Sequence, residues 1–296
     1  MSKFSGLGVA MVTPFKENGS IDFAGLKRLT EHLVQGGVDY LVVQGTTGES
    51  VTLSADERRT VLDYILEVNN KRKPVVLGVG GNCTKTVCAQ LEELDATGLS
   101  GILSVSPYYN KPTQEGIYQH FKHVVEASPL PIILYNVPGR TGSNMSAETT
   151  LRIADDFQKV AAIKEASGNL AQMEDILQHR PKNFLVISGD DNLTLPAMAM
   201  GADGVISVVG NAFPREYANM VGLALFGNVV DARKEHYKLR NLVDLLFVEG
   251  NPGGIKEVLH QLNICEPHLR LPLVRVSEQL RQRLYREMAE KDLVKV

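Results

Sequence analysis

A lysine lies near the end of a short apolar run, Val160-Ala161-Ala162-Ile163-Lys164-Glu165, which Gly168 and Asn169 follow. Such a run is typical of a buried strand that ends at a turn. Burial among apolar neighbours disfavours the charged ammonium form, and a neutral amine is what attack on a ketone requires. A snorkelling lysine, or a buried ion pair with Glu165, would also account for Lys164. The run alone leaves these interpretations open.

Polar segments follow several other short apolar runs and supply further reactive side chains. They are Gly45-Thr46-Thr47-Gly48-Glu49-Ser50, Ser106-Pro107-Tyr108-Tyr109-Asn110-Lys111-Pro112, Tyr135-Asn136-Val137-Pro138-Gly139-Arg140-Thr141-Gly142, Ser188-Gly189-Asp190-Asp191 and Ser207-Val208-Val209-Gly210-Asn211. Taken singly, a Gly-Thr-Thr-Gly segment can be a plain turn, and two adjacent tyrosines can be packing. Together with Lys164, the segments offer an amine, phenols, hydroxyls and a guanidinium.

This set of groups suits the chemistry of keto acids. A lysine that condenses with a keto acid makes an imine, an electron sink that lets the neighbouring carbon form an enamine. A tyrosine hydrogen-bonded to a threonine hydroxyl can move the protons. Gly45-Thr46-Thr47 can hold one carboxylate and Arg140 a second. The sequence offers no histidine or cysteine cluster for a metal, so it predicts a class I aldolase-like lyase or condensing enzyme.

Eight short apolar runs alternate with helical patterns, which is typical of repeated βα units and a parallel sheet. The runs are Gly8–Thr13, Tyr40–Gln44, Val75–Val79, Ile102–Ser106, Ile132–Asn136, Val160–Glu165, Leu185–Ser188 and Val205–Val208. They predict an α/β fold, a closed (β/α)8 TIM barrel, whose strand ends would gather Thr46, Thr47, Tyr135, Arg140 and Lys164 around one opening. An open doubly wound sheet is the weaker alternative, because Gly78-Val79-Gly80-Gly81 lacks the last glycine of the phosphate-binding fingerprint.

The helical patterns divide the chain into two parts. Helices are predicted at Phe23–Gln35, at Ala55–Asn69 with Ser54 and Glu57 as a capping box, and at Pro214–Phe226. Further patterns without strands follow at Val229–Glu249, Ile255–Leu262 and Ser277–Lys291. We therefore expect a barrel over residues 1–226 and a C-terminal helical extension over residues 227–296.

Composition excludes several classes of function. The 296 residues are 44% hydrophobic and carry a net charge of −3, with no basic run that would suit a nucleic acid or a membrane surface. The N-terminal segment lacks the pattern of a signal peptide, and no apolar run approaches the roughly 18 residues of a membrane span, so a cytoplasmic protein is expected. Cys83, Cys88 and Cys265 show no CxxC spacing and are interpreted as ordinary thiols.

Three segments together resemble a known family. Gly45-Thr46-Thr47-Gly48-Glu49, Tyr135 to Gly142, and Lys164-Glu165-Ala166-Ser167-Gly168 are similar to the signature segments of the dihydrodipicolinate synthase / N-acetylneuraminate lyase family. The resemblance extends from Gly6 to about residue 290.

The resemblance implies a role for each matching residue. Lys164 would form the Schiff base with pyruvate, so that no cofactor is needed beyond this covalent imine. Tyr135 would be the central proton-transfer residue, with Thr46 beside it. Tyr109 matches a tyrosine that reaches across a tight dimer interface into the neighbouring site. The remaining implied residues bind substrate: Thr47 the pyruvate carboxylate, Arg140 the carboxylate of the second substrate, and Gly189 and Ile206 through backbone groups.

Within this family, the paired threonines and Arg140-Thr141-Gly142 favour the synthases over the sialic-acid lyases. The implied reaction condenses pyruvate with L-aspartate-4-semialdehyde to 4-hydroxy-tetrahydrodipicolinate, at the entry to diaminopimelate and lysine. A homo-oligomer is implied, a tight dimer or a dimer of dimers. Two alternatives remain: another pyruvate-dependent aldolase, for sialic acid or a keto-deoxy sugar acid, and a non-catalytic barrel that binds a keto acid.

The sequence departs from the family pattern in two places. In feedback-sensitive relatives a histidine and a glutamate help to bind lysine at the dimer interface, and the matching positions here are Ala55 and Thr86, although Asn82 and Tyr108 still match. Weak or absent inhibition by lysine is therefore expected. In Asn251-Pro252-Gly253-Gly254, a glycine replaces the second proline of many relatives, which predicts a more flexible loop.

Overall fold

The computed structural model describes residues 2–293, in which eight parallel strands close into a barrel in chain order. Each strand pairs with the next, and β8 pairs with β1. The strands are β1 (Gly6–Ala10), β2 (Tyr40–Val43), β3 (Val75–Gly78), β4 (Gly101–Val105), β5 (Ile132–Asn136), β6 (Val160–Glu165), β7 (Leu185–Ser188) and β8 (Gly204–Ser207). The predicted (β/α)8 barrel is confirmed.

Helices surround the barrel and continue beyond it. They are α1 (Phe23–Gln35), α2 (Ala55–Asn69), α3 (Thr84–Glu92), α4 (Gln114–Ala127), α5 (Pro138–Thr141), α6 (Ala147–Asp156), α7 (Leu170–His179), α8 (Thr194–Ala199), α9 (Pro214–Leu225), α10 (Val229–Phe247), α11 (Gly253–Gln261) and α12 (Glu278–Glu290). The predicted capping box is present at the start of α2, where Ser54 accepts from the Glu57 amide and Glu57 accepts from the Ser54 amide.

Two apolar layers separate the inside of the barrel from its surroundings. Successive side chains of a strand point to opposite faces, so both faces of a parallel sheet with helices outside are buried. The inner layer comprises Phe4, Ala10, Tyr40, Val42, Val76, Leu103, Ile133, Tyr135, Val137, Ala162, Ile187 and Ile206. The outer layer lies between the strands and the helices. A polar side chain on an inward position near the strand ends is therefore held by packing on several sides.

The first strand was predicted, but with the wrong bounds. It spans Gly6–Ala10 rather than Gly8–Thr13. The strand begins at Gly6, although glycine usually marks a turn. The Gly6 amide donates to the carbonyl of Asp203, and its φ of +93° is a conformation that favours glycine. Met11 to Thr13 are buried although they lie beyond the strand. Met11 and Val12 belong to the outer layer, and the Thr13 hydroxyl donates to the carbonyl of Gly48.

The helices after the barrel pack on one another and on α9. α10 lies against both α9 and α12, and α11 contacts α10 and α12. The division between residues 226 and 227 stays a prediction. Among the helices of residues 2–293, none combines the length and apolar character needed to cross a membrane.

Candidate active site

Lys164 and Tyr135 lie side by side inside the barrel. They are direct partners in the pairing of β5 with β6, so their side chains point to the same face of the sheet. Both side chains are buried, Lys164 with 6% of its surface exposed, and the Lys164 Nζ atom lies 4.3 Å from the centre of the Tyr135 ring. The amine is thus held among apolar groups with a phenol beside it.

Glu165 points away from Lys164, to the outer face of the sheet. Its carboxylate accepts hydrogen bonds from the Asn136 side chain at 3.0 and 3.2 Å, from the Gln172 side chain and from the Ser167 amide. An ion pair between Lys164 and Glu165, one of the interpretations that the sequence left open, is therefore wrong. The alternation of side chains along a strand explains the difference.

The two threonines of the loop after β2 differ in exposure. Thr46 and Thr47 begin a single turn of 3-10 helix that ends at Gly48. Thr46 is exposed and lines the cavity at the barrel mouth, whereas Thr47 is buried and its Oγ1 accepts a hydrogen bond of 2.9 Å from Nδ2 of Asn251. Glu49, at φ +51°, turns the chain out of this segment.

Arg140 lies on the short helix α5 that follows β5 directly. Pro138 starts this helix and Gly142 ends it at φ +74°, a conformation that a glycine adopts without strain. The guanidinium is exposed and lines the cavity, of about 640 Å³, together with Thr46 and Tyr135. The structure thus gathers three of the five predicted residues around one opening, while Lys164 and Thr47 lie buried next to them.

Tyr109 points out of the protomer. It is 87% exposed, and its φ of +73° is unusual for a bulky residue, a conformation that costs about 1–3 kcal/mol. Its amide bonds the carbonyl of Thr141, which fixes this loop against α5. The neighbouring Tyr108 lines the cavity instead. Within one chain, Tyr109 does not join Tyr135 and Thr46.

Gly189 follows β7 directly, and Ile206 lies on β8. A Cβ atom at Gly189 would come within 2.5 Å of Ala166 Cβ and 3.1 Å of Lys164 Cε, so the lysine stem has room only because residue 189 is glycine. Ile206 is fully buried in the inner layer of the barrel.

Two carboxylates after β7 lie close to the lysine. Burial raises the pKa of Asp190, and the positive charge of Lys164 opposes that rise. Burial also raises the pKa of Asp191, although its Oδ2 accepts from the amides of Val208 and Val209 at 3.0 and 2.8 Å. The sequence placed both at a strand end but assigned neither a role.

Sequence reasoning missed the residues of the extension that reach the loop after β2. Lys256 is fully buried, pairs with the buried Glu49 and also donates to the carbonyl of His268 at 2.8 Å. Asn251 bonds Thr47 across 204 positions of the chain. No local pattern marks such pairs, because each residue lies in a different segment of the sequence.

The described residues hold no cluster of three or more histidine, cysteine, aspartate or glutamate side chains arranged for a metal ion. Cys83, Cys88 and Cys265 are all free thiols, as the sequence predicts.

Comparison with known proteins matches this arrangement to a family. The model of the dihydrodipicolinate synthetase family matches residues 3–291. The chain belongs to this family. The 4-hydroxy-tetrahydrodipicolinate synthase of Flavobacterium psychrophilum is 55% identical over 284 residues, which cover 96% of this chain and 97% of the relative.

Solved structures agree with the family assignment. The dihydrodipicolinate synthase of Thermotoga maritima is 41% identical, with a TM-score of 0.96 over 99% of this chain and all of that one. The dihydrodipicolinate synthase of Acinetobacter baumannii, whose structure is complexed with pyruvate, is 37% identical, with a TM-score of 0.95 over 98% of this chain and 99% of the other. The resemblance found from the sequence is therefore confirmed at the level of family and fold.

Proposed function

We propose that this chain is a lyase that condenses pyruvate with L-aspartate-4-semialdehyde to 4-hydroxy-tetrahydrodipicolinate through an imine on Lys164. The relatives at 55% identity carry the name of that synthase, and the structure of the Acinetobacter baumannii relative is a complex with pyruvate. The observation that carries the proposal is the buried Lys164 amine, 4.3 Å from the centre of the Tyr135 ring and next to an open cavity.

The first step forms the imine. The neutral Lys164 amine attacks the keto carbon of pyruvate, a carbon–nitrogen bond forms, and the keto oxygen leaves as water after taking protons. Tyr135, whose ring lies beside the amine, supplies those protons, with the Thr46 hydroxyl at the same opening as its relay. Thr47 and the amides of its 3-10 turn hold the pyruvate carboxylate.

The second step forms the new carbon–carbon bond. Loss of a proton from the pyruvate methyl group converts the imine to an enamine, whose terminal carbon attacks the aldehyde of the second substrate, and the aldehyde oxygen takes a proton. The exposed Arg140 on α5 binds the carboxylate of the semialdehyde, since a guanidinium donates two parallel hydrogen bonds to a carboxylate. The amino group of the semialdehyde then displaces the Lys164 nitrogen, which closes the ring and frees the enzyme.

The proposal extends to a dimer in which Tyr109 serves the neighbouring site. An aromatic side chain that is 87% exposed and held at positive φ is unfavourable for an isolated protomer. A partner protomer that covers this tyrosine would complete the proton relay with Tyr135 and Thr46.

A steady-state assay with both substrates tests the proposal. Wild-type protein is expected to form the condensation product, and Lys164→Ala to lose at least about a thousandfold in kcat/KM because the nucleophile is gone. Lys182→Ala, at an exposed position, is the matched control and should retain full activity. Release of pyruvate from N-acetylneuraminate, without condensation of the semialdehyde, would instead make the chain a sialic-acid lyase.

A further inference from the structure

Asn251 belongs to the C-terminal extension, in the turn between α10 and α11, yet its side chain reaches the barrel mouth. Its Nδ2 donates to Oγ1 of Thr47 at 2.9 Å, and both residues are buried, at 8% and 3% exposure. A buried hydrogen bond between segments 204 residues apart fixes the position of the threonine hydroxyl relative to the extension.

The direction of this hydrogen bond determines what the hydroxyl can do. A threonine hydroxyl has one hydrogen to donate and two lone pairs that accept. The amide of Asn251 occupies a lone pair, and within residues 2–293 no protein acceptor takes the hydrogen of Thr47. The hydroxyl is therefore free to donate to an anion. An acceptor at the same place would take that hydrogen away.

The extension also contacts the segment after β2 through buried residues beyond Asn251. Lys256, on α11, pairs with Glu49, and the amide of Arg270 donates to the other Glu49 oxygen at 3.1 Å. Both side chains of the Lys256–Glu49 pair are fully buried. Nδ2 makes the one contact with Thr47, whereas the Oδ1 atom of Asn251 is buried and has no hydrogen-bond partner among residues 2–293.

We infer that Asn251 is a positioning residue for the keto-acid carboxylate: it donates to Thr47, so that the threonine hydroxyl must direct its hydrogen to the substrate. This inference rests on the proposed role of Thr47 as the carboxylate ligand. It makes the extension part of the active site and predicts that loss of Asn251 weakens recognition of the carboxylate more than it slows the chemistry.

The test measures the preference for a carboxylate-bearing carbonyl. Borohydride trapping on Lys164 is compared for pyruvate and for acetone, which lacks the carboxylate. For Asn251→Ala we expect about a tenfold fall in the pyruvate-to-acetone preference and about a tenfold rise in the pyruvate KM, with kcat little changed. For the near-isosteric Asn251→Asp, which takes the hydroxyl hydrogen and adds a negative charge, we expect a larger fall, about a hundredfold or more.

Two further variants separate this inference from a general loosening and from failure of the proposed function. Glu249→Gln weakens the bonds of Glu249 to Ser277 elsewhere in the extension and should leave the preference unchanged. Thr47→Val should lose the preference for pyruvate over acetone. The double variant with Asn251→Ala should show the same preference as Thr47→Val alone. A normal preference in both Asn251 variants, with Thr47→Val impaired, would overturn the inference alone. A normal preference in Thr47→Val would overturn the role of Thr47 itself.

Discussion

At the scale of single residues, the site combines one buried amine with side chains that can bind a carboxylate. Lys164 is buried with a phenol beside it, and its amine is the nucleophile of the proposed imine. Arg140 and Thr46 line the cavity, where a second substrate must enter. In the proposed mechanism, imine formation and recognition of the second substrate depend on different side chains, so substitutions should affect them separately.

Arg140→Ala should impair use of the semialdehyde far more than use of pyruvate. Charge-assisted hydrogen bonds contribute about 1.5–3 kcal/mol, so we expect the KM for the semialdehyde to rise by roughly 10- to 150-fold, with the pyruvate KM within about twofold. Arg58 also lines the cavity, so Arg58→Ala is the control. Equal effects of the two variants on the semialdehyde KM would show that Arg140 has no particular role.

At the scale of the elements, strand register brings distant residues together. The pairing of Tyr135 with Lys164 follows from the alignment of β5 with β6, and residue 189 must be glycine for β7 to approach the lysine. One buried histidine also joins two outer helices. Nδ1 of His120, on α4, lies 2.9 Å from the hydroxyl of Thr84, on α3, and its Nε2 is buried with no hydrogen-bond partner in the described part of the chain.

His120 should make stability depend on pH. Burial lowers the pKa of His120 to about 4, from about 6.5 in an unfolded chain. The unfolded state therefore binds the proton more tightly, so the stability is fully present above pH 6.5 and falls as the pH drops towards 4. Between pH 7 and pH 5 we expect a loss of about 2 kcal/mol in the free energy of unfolding.

Urea unfolding of wild type and His120→Gln at pH 7 and pH 5, at one protein concentration, isolates this contribution. The loss in the variant should be smaller than in wild type by about 2 kcal/mol. The same loss in both proteins would assign the pH dependence to other groups, such as His32 and His236, whose pKa values burial also lowers.

The sequence predicts elements better than it predicts contacts between them. The bounds of α1, α2, β5, β6 and β7 are confirmed, because apolar periodicity and the Ser54 cap act within each segment. The error in β1 arose because Met11 to Thr13 are buried although the strand ends at Ala10, so burial alone does not mark the strand end. The contacts of Asn251 with Thr47 and of Lys256 with Glu49 depend on closure of the whole fold.

At the scale of the whole molecule, the barrel and the extension act together. The extension supplies Asn251, Lys256 and Arg270 to the loop after β2, so its helices support the site from outside the barrel. Tyr109, by contrast, is exposed on the surface of the protomer. An active unit larger than one chain is the expected consequence.

Hybrid dimers test whether Tyr109 acts across an interface. Tyr109→Phe and Lys164→Ala chains, each with its own tag, are co-expressed and the hybrid is purified. One site then combines an intact Lys164 with the partner's intact Tyr109, so we expect about half of wild-type activity per dimer, although each variant alone is impaired. Failure of the hybrid to exceed the Tyr109→Phe homodimer would place Tyr109 outside the neighbouring site.

Lysine should inhibit weakly or not at all. The cavity extends to Thr86, Asn82 and Tyr108, and its described lining residues include Arg58 and Arg140 but no aspartate or glutamate to pair with an ammonium group. Titration with L-lysine should leave activity nearly unchanged up to about millimolar concentration. Strong inhibition below that range would refute the expectation drawn from Ala55 and Thr86.

The most direct test of the central claim is mass spectrometry after incubation with pyruvate and borohydride. Digestion should locate a reduced pyruvyl group on Lys164 in the wild-type protein, and the group should be absent from Lys164→Ala. Because borohydride reduces an imine to a stable secondary amine, the adduct reports the covalent intermediate itself. Folded wild-type protein that carries no adduct, or an adduct on a different lysine, would contradict the assignment of Lys164 as the nucleophile.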